Sequence, residues 1–154
     1  LNSKTQTIGI LATKGTLSSE LFNKAVEIYQ DTKIVEQVGY GLVELIENGE
    51  INSPEMTKLL LSYLQPMIDE NIDYLVLGCS HYPYLIPQIK KIIPQHIQMI
   101  DSGEAVARQT YKILTEKVGL HSKDEGKAIF YTNTNPKVLS DILKNKYQVI
   151  QKEF

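Results

Sequence analysis

An alternation of short apolar runs with longer amphipathic segments constrains the fold of this chain more than any other feature. The apolar runs have the length and composition of strands, and the segments between them repeat apolar residues at helical spacing. This alternation is typical of α/β proteins, in which each helix crosses over to bring the next strand parallel to the previous one. We predict strands at residues 7–12, 33–38, 72–78, 97–100, 128–131 and 147–150. We predict helices at residues 20–30, 42–46, 54–71, 84–93, 102–118 and 136–144.

Local signals support several of these elements. Ser18 or Ser19 is placed to cap the first long helix, and Ser53, with a proline and an acid directly after it, is a strong helix start. The third strand contains a continuous apolar run at residues 74–77, which predicts burial on both faces of a parallel sheet.

The expected fold class is therefore α/β, with a doubly wound, mainly parallel sheet and flanking helices. In such a sheet the carboxyl ends of the strands form the natural ligand crevice. The loops that follow Ala12, Val38, Gly78 and Ile100 should then share one rim.

A polar stretch from Gly119 to Lys127 interrupts the alternation. We therefore predict one α/β domain at residues 1–118, and at residues 119–154 a polar connection with a tail that packs on another domain. Because Leu1 is neither an initiator methionine nor part of a basic and apolar leader, we expect an excised piece or a processed form.

Composition excludes several classes of function. The 16 basic and 18 acidic residues nearly cancel and are spread along the chain, so neither nucleic acid nor an anionic membrane is expected as a partner. No apolar stretch is long enough to cross a bilayer, which predicts a soluble protein. The single cysteine, Cys79, excludes an internal disulfide and favours a reducing, cytoplasmic setting. The histidines and Cys79 do not have metal-ligand spacing, so we expect no metal.

The most informative segment is Leu-Gly-Cys-Ser-His-Tyr-Pro at residues 77–83, where a buried strand ends in a thiol. The unpaired amides of a following helix, and His81 if it is charged, favour a reactive thiolate at Cys79. Ser80 and His81 are polar side chains at the expected rim of the crevice. The alternative is that Cys79 is a small, buried apolar residue, and these residues alone leave both interpretations open.

Three other segments carry weaker signals. The loop from Thr13 to Thr16 could hold a carboxylate or phosphate, but threonine and glycine are also ordinary turn residues. Residues 101–104 could bind a ligand, although Ser102 as a helix cap explains them structurally. Glu47 could orient a histidine or could be solvated at a helix end.

The residues at 78–85, Gly-Cys-Ser-His-Tyr-Pro-Tyr-Leu, resemble the Gly-Cys-Thr-His-Tyr-Pro-Leu-Leu pattern of the cofactor-independent glutamate racemase family. Residues 8–16 and 100–103 are similar to two further segments of that family, and the resemblance covers residues 6–132. Aspartate racemases usually have an acidic residue where His81-Tyr82-Pro83 stands, so the glutamate branch is preferred.

The resemblance implies a two-domain enzyme that needs no cofactor and acts on glutamate in the cytoplasm, supplying D-glutamate for peptidoglycan. In that family two similar domains face each other across a cleft and each contributes a cysteine. One thiolate removes the α-proton, and the other thiol supplies a proton from the opposite face.

Matched position by position, the resemblance implies a role for each candidate residue. It implies that Cys79 is the acid/base of the second half and that Glu47 is the partner of His81. It also implies that Ser80 and His81 contact the substrate or tune the thiol. Two hydroxyls near the substrate match Thr13 and Thr16.

The chain also departs from the family pattern. The family's threonine after the cysteine is Ser80 here, Gly39-Tyr40 stands where Cys-Pro is usual, and Glu44 stands where proline is usual. A Cys-Asn-Thr segment with the other cysteine, which the family has in its first half, is absent from the sequence.

We therefore expect the carboxy-terminal half of a racemase, inactive alone, with the missing first domain as its partner. A homo-oligomer that brings two copies of Cys79 together is a further possibility. Other functions remain as alternatives: an aspartate racemase-like enzyme, or a non-catalytic domain that binds small carboxylates. A cysteine hydrolase is disfavoured because Cys79 and His81, two residues apart, should point in different directions and because no orienting Asp or Asn is evident.

Overall fold

A computed structural model describes residues 3–119 and 126–154, and its centre is a four-stranded parallel sheet of order β2-β1-β3-β4. The strands of this sheet are β1 (Thr7–Ala12), β2 (Lys33–Val38), β3 (Tyr74–Gly78) and β4 (Gln98–Asp101). A separate parallel pair is formed by β5 (Ile129–Thr132) and β6 (Gln148–Gln151). The predicted parallel α/β fold is confirmed.

The helices lie between the strands as the alternation predicts, except for a single turn at Lys14–Leu17, where a loop was expected. They are α1 (Lys14–Leu17), α2 (Glu20–Glu27), α3 (Leu42–Glu47), α4 (Pro54–Asp69), α5 (Ile86–Ile89), α6 (Gly103–Ile113) and α7 (Pro136–Ile142). A 3₁₀ turn at Tyr82–Leu85 precedes α5, and a π turn at Leu114–Val118 extends α6. Both predicted caps are confirmed, since Ser19 Oγ accepts from the Phe22 amide at 3.2 Å and Ser53 Oγ accepts from the Met56 amide at 3.0 Å.

The core lies on one face of the sheet, between the sheet, α3, α4 and the 3₁₀ turn. Its fully buried members include Leu11, Leu42, Ile46, Leu60, Leu64, Leu75, Tyr82 and Leu85. The expectation that β3 is buried on both faces is wrong for one of them, because Leu75 and Leu77 are buried while Val76 is half-buried. The reason is that α2 and α6 contribute no fully buried residue.

The predicted helix at residues 84–93 is wrong in form. The chain there makes the 3₁₀ turn at Tyr82–Leu85 and then the single turn α5. Pro87 has no amide hydrogen and cannot bond the carbonyl of residue 83, so the α-helical turn begins only at Ile86.

The tail folds as the predicted strand, helix and strand. Its helix α7 lies against the loop after α3, since a Cβ on Gly49 would lie 3.6 Å from a methyl carbon of Val138, and Ile142 packs against the core. Most of the polar stretch at Gly119 to Lys127 lies outside the described residues. In the described part of the chain, no helix is long and apolar enough to span a membrane.

Candidate active site

The four strand ends meet at one edge of the main sheet, as the parallel topology requires. In the register of the sheet Ala12 is opposite both Val38 and Gly78, and Leu77 is opposite Asp101. The loops that carry the candidate residues therefore lie along one rim, which confirms the shared crevice edge predicted from the alternation.

At this rim Cys79, His81 and Glu47 form a row of thiol, imidazole and carboxylate. Cys79 Sγ lies 4.0 Å from His81 Nδ1, and His81 Nε2 lies 3.1 Å from Glu47 Oε1. Ser80 Oγ lies 3.5 Å from His81 Nδ1. The structure thus brings together four of the predicted site residues. They come from two segments of the chain, since Glu47 lies 34 positions before His81.

The expectation that Cys79 and His81 point in different directions is wrong. The chain leaves the extended conformation directly after Gly78, and the Tyr82 amide donates to the Cys79 carbonyl at 3.2 Å. This turn folds the imidazole back toward the thiol. In a continued strand the two side chains would lie about 6.6 Å apart along the strand, at a rise of about 3.3 Å per residue.

The row has a defined direction for proton transfer. A carboxylate accepts hydrogen bonds, so the contact with Glu47 favours the tautomer of His81 with its hydrogen on Nε2, and in that tautomer Nδ1 can accept a proton from the thiol. In many active sites a carboxylate orients a base, and the base in turn activates a nucleophile. Glu47, His81 and Cys79 lie in this order. The side chains of His81 and Glu47 are 34% and 57% exposed, so solvent screens their attraction.

Thr13 and Thr16 lie beside this row and bind each other. Thr13 caps α1 by accepting from the Thr16 amide at 3.3 Å, and the two hydroxyl oxygens are 3.0 Å apart. Thr16 Oγ1 donates to the Gly78 carbonyl at 3.1 Å. Because the Thr16 proton is used by that carbonyl, Thr13 must donate to Thr16, and both hydroxyls offer only lone pairs to a ligand in this arrangement.

Two open clefts flank the row. One has a volume of about 490 Å³ and is lined by Gly78, Cys79 and Ser80 together with Asp101 and Ser102. The expected capping by the Ser102 side chain is wrong, because the Asp101 carboxylate instead accepts from the Gly103 amide at 2.8 Å.

The second cleft, of about 480 Å³, lies on the other side of His81 and Glu47 and includes the tail loop at residues 131–134. Sequence reasoning did not place this loop at the site, because its approach depends on how the tail packs and not on any local pattern. Across residues 3–119 and 126–154, no cluster of three or more His, Cys, Asp or Glu is arranged to hold a metal ion.

Fold and site together define a parallel α/β domain with a cysteine, histidine and glutamate row at its ligand edge. Residues 1–110 match the profile of the family described as Asp/Glu/Hydantoin racemase. The chain belongs to the Asp/Glu/hydantoin racemase family.

Similar proteins agree with this assignment. The chain is 39% identical to a glutamate racemase of Pseudomonas putida over 137 residues, which is 88% of this chain and 52% of that protein. It is 48% identical to a glutamate racemase of Ralstonia pickettii over 113 residues, which is 73% of this chain and 40% of the relative. The chain thus spans about half the length of the curated relatives that it matches.

A solved structure shows the same fold. The glutamate racemase of Bacillus anthracis superposes with a TM-score of 0.78 at 27% identity, over 99% of this chain and 59% of that one. The resemblance to glutamate racemases that was drawn from the sequence is confirmed.

Proposed function

We propose that this chain is one half, the carboxy-terminal one, of a glutamate racemase that works without a cofactor. The observation that carries the proposal is the row formed by Cys79, His81 and Glu47 at the carboxyl edge of the sheet. The whole enzyme interconverts L- and D-glutamate and supplies D-glutamate for peptidoglycan in the cytoplasm.

In the proposed mechanism Cys79 is one of two acid/base groups. His81 accepts the thiol proton, and Glu47 stabilises the resulting imidazolium. The Cys79 thiolate then takes the α-proton of one enantiomer and becomes a thiol, while a thiol of the other half protonates the carbanion from the opposite face. In the reverse direction the Cys79 thiol donates.

Substrate contacts are proposed for Ser80, His81, Thr13 and Thr16. The hydroxyls of Thr13 and Thr16, as they lie in the structure, accept hydrogen bonds and suit an ammonium group. A carboxylate at the same place needs a donor, so the Thr16 hydroxyl would have to give up its hydrogen bond to the Gly78 carbonyl. Ser80 is exposed beside Cys79, and a turn about its side chain moves the hydroxyl from His81 Nδ1 toward a ligand.

The single thiol of this chain explains why it is expected to be inactive alone. Stereoinversion needs a proton donor on each face of the α-carbon, and this sequence contains one cysteine. The missing first domain supplies the second donor in the proposal. A homodimer that places two copies of Cys79 across a cleft is the other way to provide it.

The test is racemisation of L- and D-glutamate followed by circular dichroism. The chain is assayed alone and together with a separately expressed first half of a glutamate racemase. We expect activity only in the mixture, loss of that activity in Cys79→Ala and a large loss in His81→Asn. The matched control is His96→Asn, an exposed histidine of the same chain, which should leave the rate unchanged.

Two outcomes would change the assignment. Racemisation of aspartate and not glutamate by the mixture would indicate the aspartate branch of the family. Formation of a complex with no racemisation of either substrate, combined with glutamate binding, would favour a domain that binds small carboxylates without catalysis.

One observation also favours thiol nucleophile chemistry. The geometric objection to a hydrolase does not hold, because the imidazole faces the thiol and Glu47 orients the imidazole. Family membership nevertheless favours proton transfer. Hydrolysis of an activated ester by the chain alone, lost in both Cys79→Ala and Glu47→Gln, would support the hydrolase function.

A further inference from the structure

Tyr82 directly follows His81 but points into the core, where it is fully buried. Its hydroxyl donates to the Gly39 carbonyl at 3.1 Å. A buried hydroxyl needs such a partner, because leaving it unpaired costs its desolvation energy. The hydrogen bond thus connects the turn after β3 to the loop after β2, 43 positions away.

Gly39 is held from both sides. Its amide donates to the Ala12 carbonyl at 2.9 Å, while its carbonyl accepts from Tyr82. A side chain at this position would overlap Tyr82 Oη and would lie 2.7 Å from a methyl carbon of Leu42. The close approach of the loop to Tyr82 therefore requires glycine at position 39.

The same loop starts the helix that carries Glu47. Gly41, with φ of 76°, is the N-cap of α3, and Glu47 is the last residue of that helix. Leu42 and Ile46 of α3 are fully buried in the same core cluster as Tyr82. A shift of Tyr82 relative to Gly39 is therefore passed to Glu47 through a short, packed helix.

We propose that Tyr82 is a positioning residue that sets the distance between Glu47 and His81 by fixing the Gly39 carbonyl. The Tyr82 hydroxyl bonds the Gly39 carbonyl and makes no hydrogen bond to the thiol or the carboxylate. It acts because it is bonded covalently to His81 and by hydrogen bond to the loop before α3. The inference rests on the proposed function in one respect, which is that Cys79, His81 and Glu47 act together.

The electrostatic surroundings keep the Tyr82 hydroxyl a donor. Burial raises the pKa of Tyr82 well above its usual range, and the nearby ionisable groups of Cys79, Glu44 and Tyr63 raise it further. The phenol therefore stays protonated at every pH at which the row can work, and the hydrogen bond to Gly39 persists.

The experiment uses the single thiol of the chain as its own reporter. The rate of Cys79 alkylation by iodoacetamide near neutral pH is measured for the unchanged chain, Tyr82→Phe, Glu47→Gln and the double variant. If Tyr82 acts through Glu47, Tyr82→Phe slows alkylation at least about threefold in the unchanged background, and slows it no further once Glu47 is replaced.

An equal effect of Tyr82→Phe in both backgrounds would overturn the inference, because a general loosening of the fold does not depend on Glu47. An unchanged rate in Tyr82→Phe would also overturn it. Ser53→Ala is the stability control, since the Ser53 hydroxyl caps α4 and makes no hydrogen bond to Cys79, His81 or Glu47, so its loss should leave the alkylation rate unchanged.

A second variant tests the same contact from the side of the loop. Gly39→Ala pushes on the same contact from the opposite side, and it should slow alkylation in the unchanged background but not in Glu47→Gln. Because alkylation needs neither glutamate nor the other half of the enzyme, this result is independent of whether the chain supports racemisation.

Discussion

Asp73 ties the amino-terminal segment to the start of β3. Its carboxylate accepts from Ser3 Oγ at 2.7 Å, from the Lys4 amide at 2.5 Å and from the Thr5 amide at 3.2 Å. Desolvation alone would raise the pKa of Asp73, but the hydrogen bonds outweigh it and lower the pKa below its ordinary 3.8. The folded state is therefore stabilised when this carboxyl is ionised.

The stability of the chain should fall in acid through Asp73. Because the pKa is depressed on folding, the contribution is fully present above the pKa of the unfolded chain and is lost as pH falls through the lower folded pKa. Urea unfolding should show Asp73→Asn less stable than the unchanged chain at pH 7, with the difference shrinking below about pH 4. Asp31→Asn, at an exposed turn, is the control, and a difference for Asp73→Asn that does not depend on pH would contradict the argument.

Thr16 has a structural task at the end of β3. Its hydroxyl is the donor to the Gly78 carbonyl, the last acceptor before Cys79. Thr16→Val keeps the shape and removes the donor, so we expect a loss of about 1 kcal/mol in the free energy of unfolding. Thr57→Val, at an exposed helix position whose hydroxyl bonds Ser53, should cost less. Equal values from chemical denaturation would mean that the Gly78 contact does not stabilise the fold.

At the scale of elements, the helix α4 starts at a clear signal. Ser53 Oγ accepts from the Met56 amide, and Pro54 occupies the first turn. Ser53→Ala should lower the free energy of unfolding by about 1 kcal/mol, because it leaves an amide of the first turn without a partner. Ser62→Ala, an exposed serine in the middle of the same helix, should be neutral or stabilising, since alanine has the higher helix propensity. Thermal melts of the pair measure this, and a larger loss in Ser62→Ala would refute it.

The elements themselves were predictable from periodicity and caps, because each depends mainly on its own residues. The failures have two sources, prolines in the segment itself and neighbours in space. The prolines at 83 and 87 turn a predicted helix into shorter turns, and the exposed side of β3 depends on how little α2 and α6 cover it.

The site shows the same division. The position of Cys79 at a strand end was visible in the sequence, but its orientation toward His81 depends on a turn whose geometry the residue types do not specify. The pairing of His81 with Glu47 came from resemblance alone. The contact of Tyr82 with Gly39 joins residues 43 positions apart, and no local pattern predicts it.

At the scale of the whole molecule, the pair of β5 and β6 forms a two-stranded sheet of its own. Two strands alone are marginally stable, and parallel sheets are normally covered on both faces. Several large apolar side chains of α6, of the turn after it and of the tail are exposed to water: Val106, Tyr111, Val118, Ile129, Tyr131, Tyr147 and Phe154. An exposed surface of this kind favours a partner that adds strands or covers helices.

We predict that this partner is the first half of the racemase and that its binding protects the tail. Hydrogen exchange of the β5 and β6 amides should slow strongly in the mixture, because new strand contacts and burial suppress local opening. The amides of β1 and β3, already inside the main sheet, serve as the internal control and should change little. Protection of the tail that rises with the concentration of this chain alone would instead identify a second copy as the partner. Racemisation by that homo-oligomer, abolished in Cys79→Ala, would then place both proton donors on Cys79 of two identical chains.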